Sequence, residues 1–168
     1  MSGVAIRDER GTDADAIRAM IAAAFAAMPF SHGTEAAIIA ALRAAGGLSV
    51  SLVAAEGNAV FGHVAFSPVA IDGASGWYGL GPLAVRPDRQ RRGIGSALVR
   101  TGLDRLARAG AKGCVVLGDP GYYARFGFAA HPGLVLPGVQ AEYFQALALD
   151  GPVPAGTVAF HPAFAAGD

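Results

Sequence analysis

The chain has 168 residues, 13 basic and 13 acidic side chains and no formal net charge, and 53% of it is hydrophobic. That length suits one core, so a single domain over residues 1–168 is expected, and the hydrophobic share argues against disorder. The lack of a basic surplus argues against nucleic acid as a partner, and the single cysteine, Cys114, excludes an intrachain disulfide.

Residues 4–7 read as a short first strand. The charged run Arg7, Asp8, Glu9 and Arg10 has no apolar core before it, so no signal peptide is expected. Residues 19–30 are apolar but too short to span a bilayer. A cytoplasmic setting without a membrane partner follows as the expectation. Thr12 and Asp13 are N-cap candidates for an Ala-rich helix to about residue 27, which Pro29 stops. Thr34 is the candidate cap of a second helix over 35–45, closed by Gly46 and Gly47. Residues 48–55 and 59–71 read as a hairpin about the turn Glu56-Gly57-Asn58. Asp72, Gly73 and Ala74 then turn the chain into a strand over 77–85.

That last strand contains Gly79, Gly81 and Pro82. Proline cannot donate a ladder hydrogen bond, so it marks an edge or a bulge, and a bulge here splays the strand from its later neighbour. A helix over 93–109 follows, with Ile94, Leu98, Gly102 and Leu106 at spacing four, closed by Gly110. Then come a strand over 113–117, which holds Cys114 as a buried residue, a short helix over 120–126 and a short strand over 128–130. In the Pro- and Gly-rich tail, residues 143–149 and 157–160 read as a final strand pair. Phe144, Phe160 and Phe164 suit either a homodimer contact or a core edge.

The most informative stretch joins the strand ending at Val85 to the long helix: Arg86-Pro87-Asp88-Arg89-Gln90-Arg91-Arg92-Gly93-Ile94-Gly95-Ser96. A Gly-rich turn at a helix N-terminus presents free N–H groups and the positive end of the helix dipole, a ready site for phosphate. The arginines at 86, 89, 91 and 92 add positive charge. No Gly-Lys-Ser/Thr follows, so the turn is not a Walker loop, and no Gly-x-Gly-x-x-Gly marks a dinucleotide fold.

The pattern Gln90-x-x-Gly93-x-Gly95 resembles the acyl-CoA-binding turn of the GNAT N-acetyltransferase superfamily. Downstream, Tyr123-Ala124-Arg125-Phe126-Gly127-Phe128 resembles that family's Tyr-x-x-x-Gly-Phe sequence after its fifth strand. With Leu-Gly-Pro-Leu before the turn and Gly-Asp-Pro-Gly-Tyr-Tyr after it, the chain is similar to a bacterial subgroup of N-acetyltransferases over roughly residues 3–130. The resemblance implies an α/β fold with a mixed, mostly antiparallel central sheet flanked by helices. It implies acetyl-CoA as co-substrate, with the pantetheine arm inserted at the splay. Leu83, Ala84 and Val85 would hold the thioester and pantetheine. Gln90, Arg91, Arg92, Gly93, Ile94, Gly95 and Ser96 would hold the pyrophosphate.

By the same resemblance Tyr123 is the candidate general acid for the CoA thiolate. It reads equally as a packing aromatic beside Tyr122, Phe126 and Phe128, and Tyr122 is the neighbour with which it can be confused. Glu35 is the candidate base at the acceptor site, or an ordinary first-turn acid favoured by the helix dipole. His63 faces either a cleft or the core, and His32 and Asp119 are further base candidates. The four histidines are scattered, which gives no support to zinc, and no Gly-x-Ser-x-Gly elbow supports a serine triad. The reading is an N-acetyltransferase acting on a primary amine of a small molecule or peptide. Its alternatives are a non-catalytic acyl-CoA-binding module, a transferase of longer acyl chains and an RNA-modifying acetyltransferase, the last disfavoured by the neutral charge.

Overall fold

The structure, a computed structural model, describes residues 4–26, 28 and 33–166. In chain order the elements are β1 (Ala5–Asp8), α1 (Ala14–Ala26), α2 (Glu35–Ala44), β2 (Val50–Glu56), β3 (Ala59–Ile71), β4 (Ala74–Val85), α3 (Ile94–Arg108), β5 (Gly113–Leu117), α4 (Pro120–Tyr123), β6 (Leu134–Val135), β7 (Phe144–Ala148) and β8 (Gly156–Ala159). Pro29 and His32 lie outside the described residues.

β3 is buried along nearly its whole length, so it needs cover on both faces and a strand on each edge. It lies inside a sheet ordered β1-β2-β3-β4-β5-β7. All neighbours are antiparallel except β4 and β5, which run parallel with α3 as their crossover. Side chains alternate between the faces. Val64 and Phe66 meet Leu98, Val99 and Leu106 of α3 on one face. Ala65 meets Ile17, Ile21, Ile39 and Leu42 of α1 and α2 on the other. The predicted α3 stripe is the packed one: Leu98, Gly102 and Leu106 are buried, and a Cβ at Gly102 would sit 2.1 Å from the Phe66 ring.

The bulge expected at Gly81 and Pro82 is present. Val64 opposes Leu83, but Phe66 opposes Leu80, so β4 spends one extra residue there. Pairing of β4 with β5 runs from Trp77↔Gly113 to Leu80↔Val116 and ends at the same place. Residues 83–85 therefore remain paired with β3 while the chain beyond Leu80 parts from β5.

The tail departs from expectation. β7 pairs with β5, and β8 pairs with β3 and β6, so the two do not form a strand pair with each other. β5 offers an uncovered edge that a 5-residue strand can complete, and this long-range match outweighs proximity in sequence. The segment around residue 129 makes only a single bridge, Ala129↔Ala146. The Phe160 ring meets Phe144 edge-on and Phe164 at a tilt, and Phe144 is buried. Two caps also differ. Thr34 precedes α2 but makes no side-chain capping bond. Asp13 turns backward, accepting from Arg10 N at 2.6 Å and Arg7 Nη1 at 2.7 Å.

Candidate active site

The turn between β4 and α3 is held from below. Arg86 N donates to Phe61 O at 2.6 Å, and the guanidinium groups of Arg86 and Arg89 lie 4.4 and 4.0 Å from the Phe61 ring centroid. Arg86 is paired with Asp88 and Arg89 with Glu56. Gln90 folds back and donates through Nε2 to Val85 O at 3.0 Å, tying the turn to the end of β4. Arg91 and Gly93 both adopt left-handed backbone, with φ of 64° and 82°, a conformation that is cheap at glycine and strained elsewhere. The first hydrogen bond of α3 runs from Ala97 N to Gly93 O at 3.0 Å. The N–H groups ahead of it are those that a helix leaves without an internal acceptor.

Above this turn opens a cleft of about 650 Å³. Leu83 and Val85 line one side, Gln90, Arg91, Gly93, Ile94, Gly95 and Ser96 the floor, and Met28, Arg89, Tyr122 and Arg125 complete it. Most of the residues expected to hold a cofactor are thus brought together. Ala84 points to the other face of the sheet, packed with α1 and α2, so only its backbone borders the splay. Arg92 is exposed on the turn outside the lining. Met28 and Arg125 were not singled out from the sequence. The signal for Arg125 was available in its place three residues after Tyr122.

The two tyrosines diverge. Tyr122 lines the cleft. Tyr123 is half-buried against Phe126 and Phe128, with its ring on Gly118, where a Cβ would meet Tyr123 Cε2 at 2.7 Å. Gly118 follows the last residue of β5, so the Tyr123 ring packs just beyond the end of that strand, and unlike Tyr122 it is not among the described residues lining the cleft. Burial pushes its hydroxyl pKa well above the usual tyrosine value, and the nearby Tyr122, Cys114 and Asp119 add to the shift.

The match to known proteins is broad. The model of the acetyltransferase (GNAT) family matches residues 16–128, about two thirds of the chain. The chain belongs to the GNAT family of N-acetyltransferases. The uncharacterized N-acetyltransferase YhbS of Escherichia coli (strain K12) is 39% identical over 144 residues, covering 82% of this chain and 83% of that protein. A GNAT acetyltransferase from Brucella melitensis, solved in complex with acetyl-CoA, is 52% identical with a TM-score of 0.87, covering 96% of this chain and 97% of that one. YhbS from Escherichia coli, solved in complex with CoA, gives a TM-score of 0.88 at 35% identity over 98% and 93% of the two chains.

The remaining base candidates separate cleanly within this GNAT fold. Glu35 opens α2, half-buried, and is not among the described residues lining the cleft. Asp119 caps α4, accepting from Gly121 N at 2.9 Å. His63 is fully buried on the α1/α2 face and does not reach the cleft. Its Nε2 lies 2.8 Å from Ser51 Oγ and 3.5 Å from Glu9 Oε1, while Arg43 holds Glu9 through Nε and Nη2, each at 3.0 Å. Ser51, His63 and Glu9 share one cluster yet form no charge relay. The carboxylate sits on the serine side of the ring, and Nδ1 has no partner among the described residues. Burial holds His63 below its ordinary pKa against the opposing pull of Glu9. Burial alone would raise Glu9, but bonds from His63, Arg43 and Ser51 hold it far below the usual range. Cys114 is buried, and burial pushes its thiol up, leaving it inert.

Proposed function

We propose that this GNAT N-acetyltransferase binds acetyl-CoA in the 650 Å³ cleft and passes the acetyl group directly to a primary amine of a small molecule or peptide. One observation carries the reading: β4 parts from β5 just ahead of the turn whose backbone N–H groups open α3. The splay and the N-terminus of α3 lie either side of a turn only eight residues long, 86–93. That the similar Brucella melitensis and Escherichia coli proteins were solved with acetyl-CoA and CoA supports it.

The chain fits the co-substrate on its own chemistry. The free N–H groups ahead of Ala97 and the Arg91 side chain answer a diphosphate. Gly93 leaves the turn open, with nothing within 4 Å of where its Cβ would be. The edge of β4 over residues 83–85, no longer covered by β5, offers peptide groups to an arm that carries amides. Bound acetyl-CoA supplies an activated acetyl thioester. Tyr123, a phenol protonated at neutral pH, is the proposed donor of a proton to the sulfur as the C–S bond breaks and the C–N bond forms. Glu35, at the start of α2 and outside the described cleft lining, is carried over from the family resemblance as the base that takes the proton from the amine.

The test is release of free thiol from acetyl-CoA against a panel of a small diamine, amino acids and short peptides. Amine-dependent release is expected. Saturable binding without release across the panel would favour a non-catalytic acyl-CoA-binding module.

A further inference from the structure

The two sequence motifs meet at one point in space. A Cβ placed on Gly95 would lie 2.9 Å from Tyr122 Oη. The second glycine of the turn is therefore small because the hydroxyl of Tyr122, from α4, comes down on the first turn of α3. Arg125 is fixed on that same ring. Its guanidinium carbon is 4.4 Å from the Tyr122 centroid, and its Nε donates to Tyr122 O at 2.9 Å. Arg100 of α3 reaches across to Arg125 O at 3.4 Å while stacked on Phe126, which ties the segment to the helix.

The cleft thus has a further cation held beside the first turn of α3. Of the arginines that border it, Arg89 is paired with Glu56. Arg125 has no carboxylate partner among the described residues, although it is held by two contacts to Tyr122. A charged side chain kept on an aromatic platform, facing a cleft and lacking a counter-ion, is preorganised for an anion. We propose that Tyr122 and Arg125 form the second half of the phosphate site. Arg125 binds a phosphate group of CoA beside the first turn of α3, and the Tyr122 ring is the platform that aims it. This rests on acetyl-CoA occupying the cleft. CoA carries two phosphate positions, the diphosphate and the ribose 3′-phosphate, and both offer the same chemistry to a guanidinium.

The experiment is calorimetric titration of wild type, Arg125→Ala and Tyr122→Ala with acetyl-CoA and with 3′-dephospho-acetyl-CoA, with melting temperatures recorded to confirm folding. Arg125→Ala should weaken acetyl-CoA at least tenfold without lowering the melting temperature, because Arg125 is exposed. Tyr122→Ala should reproduce that loss although the arginine remains. If Arg125→Ala costs nothing further with the dephospho compound, the partner is the 3′-phosphate. If the loss persists, it is the diphosphate. A folded Arg125→Ala protein that binds acetyl-CoA as tightly as wild type overturns the proposal while leaving the cleft reading intact. Failure of wild type itself to bind overturns both.

Discussion

Two charged regions of this chain are built on opposite logic. Beneath β2 and β3, Glu9, Arg43, Ser51 and His63 answer one another within about 3.5 Å, and the group closest to the core is fully buried. Around the turn from β4 to α3, Arg91, Arg92 and Arg125 have no acidic partner among the described residues, and the first N–H groups of α3 have no helical acceptor. The first region spends its charge on joining α2 to the sheet. The second withholds its charge, and a withheld charge beside an opened strand edge is the mark of a site for an anionic ligand.

The largest expected effect breaks the comparison at the chemical step. Tyr123→Phe should lower kcat about 100-fold or more, the usual scale of general acid catalysis. Acetyl-CoA affinity should stay within about twofold, because this ring packs on Gly118 rather than lining the cleft. Unchanged turnover with the best amine removes Tyr123 from the acid role. Next, Arg43→Ala should destabilise the fold by about 1–3 kcal/mol, since it strips a half-buried carboxylate of a charged donor. Denaturant unfolding reads this, and acetyl-CoA affinity should not follow it. A matching loss of affinity would mean that the two regions are coupled.

Stability should also fall with pH. His63 has its pKa lowered in the folded state by burial, so the unfolded chain takes up a proton more readily. Its stabilising contribution is full above about pH 6.5 and falls as the pH drops below that value, by at most ~1.4 kcal/mol per pH unit. Glu9, also lowered, adds a second loss below its ordinary value of 4.5. His63→Asn should flatten the first window, from about pH 6.5 down to 5, and leave the second. An unaltered slope would assign the first loss to another group. Smallest is Gln90→Ala. It removes the bond to Val85 O and should weaken acetyl-CoA by about 2- to 10-fold, the worth of one hydrogen bond.

Much of the site was legible because its chemistry is local. Pro82 lacks an N–H whatever surrounds it, and the register of β3 on β4 breaks there. Gly93 and Gly95 sit beside the first residues of an apolar stripe, so a turn opening a helix could be read from a dozen residues. What stayed hidden depends on distant packing. Alternation in β3 places His63 opposite Val64, yet nothing in that strand says which face α3 covers. The aromatic run Tyr122, Tyr123, Phe126 and Phe128 reads as core. Only the approach of Tyr122 to Gly95 shows that one of its rings leaves the core for the cleft. β7 and β8 are too short to carry a register: β7 finds β5 about thirty residues back, and β8 finds β6 about twenty and β3 about ninety residues back.

The most direct measurement is a thermal-shift titration with acetyl-CoA on the wild-type protein and on Gly93→Glu, which places a carboxylate at a position of φ 82° in the lining of the cleft. At 100 times the dissociation constant the ligand should add about 2.7 kcal/mol, which for a chain of this size is a rise of about 5–10 °C. The expected result is a saturable rise in the wild type that the folded variant has lost. A well-folded wild type that shows no shift, or a variant that shifts equally, would contradict the assignment of this cleft to acetyl-CoA.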